Sequence, residues 1–157
     1  MNSLEFVRGT IRGRALVFLV LLSNALLWSK PGAAEGALAV GVPAKVAKDG
    51  FAYGYNTNKA STDEARQSAL KTCGEPAANK APAARKLCKV IASFHDQCVA
   101  VAEDPQAGTP GVGWAIADTL HDAEAGALEK CEATAGPGRR AACRVDHSGC
   151  DGTAKPK

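Results

Sequence analysis

The sequence predicts a small α+β domain, stabilised by disulfides and built from two strand-strand-helix-strand repeats around a mainly antiparallel sheet. Three observations support this. The chain has six cysteines, two helix-like segments each end on a cysteine, and two short apolar runs precede each segment. Residues rich in Gly, Pro and Asp separate the runs, as turns do between strands. We expect one domain at 37–151, with copies at about 37–95 and 98–151.

The two helix-like segments share the pattern Ala-x3-Ala-Leu-x2-Cys, at 65–73 and at 123–131. Its alanines and cysteine recur every four residues, so they share one helical face. Because that face has little bulk, each helix should lie close against a sheet. Capping signals at Ser61 and Thr119, each followed three residues later by an acidic residue, predict where the helices begin.

The runs flanking each helix have the small apolar residues of partly buried strands. Those that precede the helices read "ALAVG" at 37–41, "GFAYGYN" at 50–56, "CVAVAED" at 98–104 and "GVGWAIAD" at 111–118. After each helix, "CKV" at 88–90 matches "CRV" at 143–145, and "HDQC" at 95–98 matches "HSGC" at 147–150. These pairs predict the third strand of each copy.

The first 34 residues predict a secretory signal peptide. Three arginines precede an apolar run at 15–28, and a small-residue segment follows it. The run is shorter than the ~20 apolar residues that span a bilayer, so we expect cleavage after Ala34, or as late as Ala39, and no membrane association afterwards. The protein should be exported to the periplasm or secreted. Residues 152–157 are expected to be a disordered tail.

The charge balance argues against a nucleic-acid partner. Four of the 19 Lys and Arg residues and one of the 16 Asp and Glu residues lie in residues 1–34, which leaves 15 of each sign after cleavage. Nucleic-acid binding needs a basic patch, and the charges at 84–86 and 138–140 are expected to be solvated loop residues.

The motifs "AYGYN", "CKV", "CVAVA", "GWAIA" and "CRV", together with the helix pattern, resemble a family of secreted bacterial domains catalogued as domain of unknown function 4189. The resemblance extends from about Leu38 to Cys150. It implies an exported domain with disulfides and brings no catalytic residues. The loop between Cys73 and Cys88 is longer than the family's pattern.

Six cysteines allow fifteen disulfide pairings, and the repeat narrows them. If equivalent residues behave alike, each helix end is tied to the strand that follows it, and the remaining two cysteines form a bridge that crosses between the copies. The predicted pairs are Cys73–Cys88, Cys131–Cys143 and Cys98–Cys150. Such bridges are expected in an oxidising compartment, where they offset a small alanine-rich core.

A zinc site is the alternative use of two of these cysteines. His95 and Cys98, with His147 and Cys150, offer two nitrogens and two sulfurs at acceptable spacing. Thiols of exported proteins are usually oxidised, however, so we expect no metal and no cofactor. His121, near the start of the second helix, is expected at the surface.

Catalytic residues are not evident. Asp146, His147 and Ser148 are consecutive, but neighbouring residues of a strand point to opposite faces, so a relay among them is not expected. Tyr53, Tyr55 and Trp114 could line a recognition surface, although filling the core is the simpler role for such aromatics.

These features together predict a binding or interaction module of inhibitor or effector type, whose partner is another protein. A rigid cross-linked scaffold loses little entropy on binding. An enzyme, for instance a hydrolase with a loop-built site, and a structural envelope protein are the alternatives. A pocket with convergent ionisable groups would favour an enzyme, and an exposed apolar patch would favour a binding module.

Overall fold

The computed structural model of the chain describes residues 34–155, and the predicted signal peptide lies almost entirely outside this part. It contains six strands: β1 (Glu35–Gly41), β2 (Ala52–Lys59), β3 (Lys89–Phe94), β4 (Cys98–Glu103), β5 (Val112–Ala117) and β6 (Arg144–Cys150). The helices are α1 (Val46–Asp49), α2 (Thr62–Gly74), α3 (Pro82–Arg85) and α4 (Leu120–Thr134), with a 3-10 turn at Arg140–Ala142. None of the helices in residues 34–155 has the length and hydrophobicity to cross a membrane.

The predicted α+β class and the two strand-strand-helix-strand repeats are confirmed. The strands form two separate antiparallel sheets of three strands rather than one, in the orders β2-β1-β3 and β5-β4-β6. Each repeat therefore makes its own sheet, with its first strand in the middle.

Each sheet packs a helix on one face and the other sheet on the opposite face. In β1, Ala37 and Ala39 belong to the cluster under α2, whereas Leu38 and Val40 pack with Val99 of the second sheet. In β4, the residues that alternate with Val99 pack under α4. The result is four layers in the order helix, sheet, sheet, helix, and small residues line both helix contacts because the helices lie close.

The helix starts follow the predicted capping signals. Ser61 Oγ accepts a hydrogen bond from the Glu64 N–H at 3.2 Å, and Thr119 Oγ1 accepts one from the Asp122 N–H at 3.2 Å. Each bond satisfies a backbone donor that the first helical turn leaves free. The prediction of both helix starts is therefore confirmed.

The structure pairs the six cysteines as Cys73–Cys88, Cys131–Cys143 and Cys98–Cys150. The first two have the same Cα–Cα distance, 6.0 Å, and tie each long helix to the residue before its repeat's last strand. The third joins directly paired residues of β4 and β6. The expectation that it crosses between the copies is wrong, because both strands belong to the second sheet.

Residues 152–155 of the C-terminal segment are hydrogen-bonded to the rest of the domain, whereas a disordered tail is expected from the sequence. The Gly152 N–H donates to Asn58 Oδ1 at 3.0 Å, the Thr153 N–H donates to Asp96 Oδ1 at 2.6 Å, and the Lys155 carbonyl accepts from the Leu120 N–H at 3.1 Å. These bonds hold the segment against both repeats. Residues 156–157 lie outside the described part of the chain.

Candidate functional site

A groove of about 490 Å³ lies where the β1–β2 connection meets the β4–β5 connection. These two connections occupy equivalent places in the repeats, so the groove is a product of the duplication. The residues that line it are 46–51, 80–82, 103–109, 111 and 112. Lys48, Asp49, Lys80 and Glu103 contribute charged side chains besides Asp104, and most of the other lining residues belong to loops.

Asp104 holds one wall of the groove in place. Its buried carboxylate accepts hydrogen bonds from Arg139 Nε at 2.8 Å and Nη2 at 2.5 Å, and from the Gln106 N–H at 3.0 Å. The Arg139 guanidinium lowers the pKa of Asp104 to about 2. The prediction that residues 138–140 carry only solvated charges is thus wrong for Arg139, because a buried carboxylate needs a hydrogen-bonded cation.

Asn79 holds the other wall. Its side-chain amide donates to the carbonyls of Tyr53, Thr72 and Cys73 at 2.9 to 3.1 Å, and its Oδ1 accepts from the Tyr53 N–H at 3.0 Å. Asn79 is 6% exposed, and it positions Lys80 beside the groove. The sequence carries no signal for this role beyond an Asn in an alanine-rich loop.

An ionisable cluster of Tyr53, Glu103, Asp146 and His147 joins β2 of the first sheet to β4 and β6 of the second, with Asp146 and His147 on its exposed side. Tyr53 Oη donates to Asp146 Oδ2 and lies 2.5 Å from His147 Nδ1. Asp146 Oδ2 is 3.1 Å from His147 Nδ1. Glu103 belongs to the groove lining and also interacts electrostatically with Asp146 and His147. The groove and the cluster are therefore connected through Glu103.

A β-bulge brings Asp146 and His147 together. Val101 pairs with His147 and Ala102 with Val145, so Asp146 is an extra residue in β6. A bulge interrupts the strict alternation of side chains along a strand. The expectation that Asp146 and His147 point apart is therefore wrong.

Ser148 is not part of a relay with His147. Its Oγ donates to Glu124 Oε1 of α4 at 2.7 Å. Ser148 therefore takes no part in the contact between Asp146 and His147.

The bulge also changes which residues are equivalent in the two segments that contain His95 and His147. The first sheet has the same irregularity, since Leu38 pairs with Ala92 and Ala39 with Val90. By position next to the bulge, the equivalent of His147 is Ala92, not His95. His147 and the contacts around it therefore have no counterpart built on His95.

Burial perturbs the acids of the cluster. The pKa of Tyr53 is raised, first by burial and then by its hydrogen bond to Asp146. Burial also raises the pKa of Glu103, and the nearby Asp146 carboxylate adds to that shift. Burial raises the pKa of Tyr55 as well. Protonated forms of these groups are thus favoured relative to exposed side chains.

The aromatic residues lie mostly between the sheets. Phe51 stacks on Trp114 with ring centroids 5.8 Å apart, and on Tyr53 at 5.7 Å. Tyr55 Oη donates to the Ser148 carbonyl at 3.0 Å. Tyr53 and Tyr55, with His147, also line a cavity of about 180 Å³. The predicted surface of Tyr53, Tyr55 and Trp114 is thus half-buried.

The alternative zinc set is not assembled. Cys98 and Cys150 are bonded to each other, so neither sulfur is a thiolate. His95 Nδ1 donates to the Ala34 carbonyl, and His121 is exposed. Within residues 34–155, no three His, Cys, Asp or Glu side chains form a group that could hold a metal ion.

The fold and its groove define a class of small disulfide-bonded α+β domains made of two fused repeats. The chain belongs to the family described as Domain of unknown function (DUF4189), whose model matches residues 36–150. No curated protein and no solved structure matches the chain. The family membership that the sequence motifs predicted is confirmed.

Proposed function

We propose that this chain is an exported binding module whose groove receives a segment of another protein, as an inhibitor or effector does. The observation that carries the proposal is the groove of about 490 Å³ between the matching connections of the two repeats. Its volume falls within the usual range of ligand sites. It opens to solvent, so a bound segment can continue into a larger molecule outside it.

The groove walls are fixed before any ligand arrives. Arg139 clamps Asp104 on one side, and Asn79 pins the loop that carries Lys80 on the other. A preformed site loses little conformational entropy when it binds. The three disulfides add to this rigidity.

The chemistry of the lining favours a polar polypeptide segment. The charges of Lys48 and Lys80 can pair with carboxylates of a bound segment. Glu103 and Asp49 can accept from the segment's donors. Export is supported by the disulfides, which persist in oxidising compartments, and by the predicted signal peptide.

The test is a groove-filling substitution. Ala47 and Ala107 are exposed residues of the groove lining, and Ala60 is an exposed residue beyond the other end of β2. Peptides selected from a random display library on the wild-type protein should lose at least tenfold in affinity for Ala47→Trp and for Ala107→Trp. The matched control Ala60→Trp should bind as the wild type does. Equal affinity for all four proteins would contradict a binding groove.

A hydrolase is the second candidate, and the contact between Asp146 and His147 favours it. Asp146 engages Nδ1 of His147 at 3.1 Å, and the side chain of His147 is 62% exposed. Such a pair leaves Nε2 free to act as a general base toward a water molecule.

If the protein is a hydrolase, its rate of hydrolysis should depend on His147 and not on the other surface histidines. Hydrolysis of activated ester and peptide substrates should fall at least a hundredfold in His147→Ala. It should be unchanged in His121→Ala, a substitution of an exposed histidine of α4. A rate equal to that of buffer, or one insensitive to His147→Ala, would eliminate the hydrolase.

A further inference from the structure

The peptide bond between Ala34 and Glu35 lies against the C-terminal segment of the chain. The Ala34 carbonyl accepts a hydrogen bond from His95 Nδ1 at 2.5 Å. A Cβ built on Gly152 would lie 3.3 Å from the Ala34 Cβ. Because a peptide nitrogen lies about 1.3 Å from the carbonyl carbon, the Glu35 nitrogen belongs to the same neighbourhood.

This neighbourhood is rich in carboxylates. Asp96 Oδ2 lies 3.2 Å from His95 Nε2, and Glu35 Oε1 lies 3.7 Å from His95 Nδ1. Asp151 is close enough to act electrostatically on His95. Asp96 and Glu35 thus lie within 4 Å of one histidine, Asp151 adds negative charge nearby, and the neighbourhood favours a further cation.

Asp151 has an unused hydrogen-bonding oxygen. Its side chain is fully buried, and its Oδ1 accepts from the Asn58 N–H at 2.5 Å. Its Oδ2 is buried and has no hydrogen-bond partner among residues 34–155. A buried carboxylate oxygen without a donor is destabilising, so the site favours a positively charged donor.

The core restricts where a signal peptide can be removed. Ala37, Leu38 and Ala39 are fully buried in the middle strand of the first sheet. Cleavage after Ala39 would remove all three from the core, whereas cleavage after Ala34 leaves β1 whole. Hydrolysis after Ala34 adds one water across the bond. The carboxylate departs with Ala34, and the freed amine of Glu35 takes up a proton.

We propose that the α-ammonium group of Glu35, released by cleavage after Ala34, pairs with the buried carboxylate of Asp151 and anchors the N-terminal strand. The amine gains two N–H bonds on cleavage and so supplies donors that the precursor lacks. Removal of the signal peptide thereby completes the fold at the junction of β1, β2 and the C-terminal segment.

The first test uses the full-length chain, exported by an expression host and purified without reduction. Its N-terminal residue, read by mass spectrometry, should be Glu35. The α-amine should react with an acetylating reagent at least tenfold more slowly in the folded protein than in the unfolded one, because an ion-paired amine is protonated and enclosed. Another N-terminal residue, or equal reaction rates, would overturn the proposal.

The second test measures whether the α-amine of Glu35 and the carboxylate of Asp151 stabilise the fold together. Acetylation of the α-amine should lower the Tm of the wild type by about 5 °C, and it should leave the Tm of Asp151→Asn unchanged. In the control Asp63→Asn, which alters an exposed carboxylate of α2, acetylation should lower Tm as in the wild type. The same decrease in all three proteins would overturn the pairing. If Asp151→Asn does not fold, the acetylation rates of the first test decide whether the α-amine is paired.

Discussion

Gly54 and Gly113 occupy equivalent positions in the two repeats, each directly against the backbone of its own long helix. A Cβ on Gly54 would lie 2.4 Å from the Cys73 nitrogen, and one on Gly113 would lie 2.3 Å from the Ala127 carbonyl oxygen. The strand and the helix are therefore in backbone contact. This closeness explains why the buried helix face consists of alanine and cysteine.

Replacement of Gly113 by alanine should destabilise the protein strongly. The new methyl group meets helix backbone, which cannot rotate away, so the expected loss is about 3 kcal/mol, or roughly 10 °C or more in Tm. Gly74→Ala is the matched control, because a Cβ there meets no other atom of residues 34–155 within 4 Å. Thermal unfolding followed by circular dichroism measures both. Equal Tm values for the two variants would contradict the close contact.

The disulfides should account for much of the stability. Each bridge is expected to contribute about 3 kcal/mol, since it closes a loop in the unfolded chain. Thiol titration of the denatured, unreduced protein should find no free cysteine. Peptide mapping should recover Cys73 linked to Cys88, and Cys131 linked to Cys143. Any peptide that joins one of these two pairs to the other would refute the pairing.

Asn79 should be among the most sensitive polar residues. It makes four hydrogen bonds while almost fully buried, so Asn79→Ala leaves several carbonyls without a donor and should cost about 3 kcal/mol. Asn56→Ala is the control, because the buried Nδ2 of Asn56 has no hydrogen-bond partner within the described residues 34–155. Urea denaturation should show a large decrease in midpoint for Asn79→Ala only. Similar midpoints would show that Asn79 does not pin the loop.

The elements that the sequence predicted well are those with a local cause. The spacing of Ala65, Ala69 and Cys73 predicts a thin helix face, and Ser61 predicts where that helix begins. The repeat then predicts the pairing of Cys131 with Cys143, because equivalent residues meet equivalent surroundings.

The features that the sequence did not predict depend on distant parts of the chain. No local feature of the sequence distinguishes one sheet of six strands from two sheets of three. The expectation that the Cys98–Cys150 bridge crosses between the two copies was therefore wrong. The bulge at Asp146 is visible only in the pairing of β4 with β6. The groove depends on loops whose partners, such as Arg139 for Asp104, lie 35 residues apart.

Asp104 should make the stability fall in acid. Its folded pKa, about 2, lies below the ordinary value of 3.8, so its contribution is present above pH 4 and is lost as the pH falls toward 2. Asp104→Asn should have a lower Tm than the wild type at pH 6, and the difference should shrink toward pH 2. Differential scanning calorimetry across this range measures it. A constant difference in Tm at all pH values would mean that the charge of Asp104 does not contribute to the stability.

Glu103 should have the opposite effect. Burial raises its pKa in the folded protein, so the folded state favours the protonated acid, and this contribution is lost as the pH rises through the raised pKa. Glu103→Gln removes the charge while keeping the shape. It should therefore raise Tm by roughly a few degrees at pH 7 and leave Tm unchanged at pH 3. Glu132→Gln, at an exposed site of α4, should show no such pH-dependent gain. If Glu103→Gln has the lower Tm at pH 7, then the charged form of Glu103 stabilises the ionisable cluster, and burial does not raise the pKa of this acid.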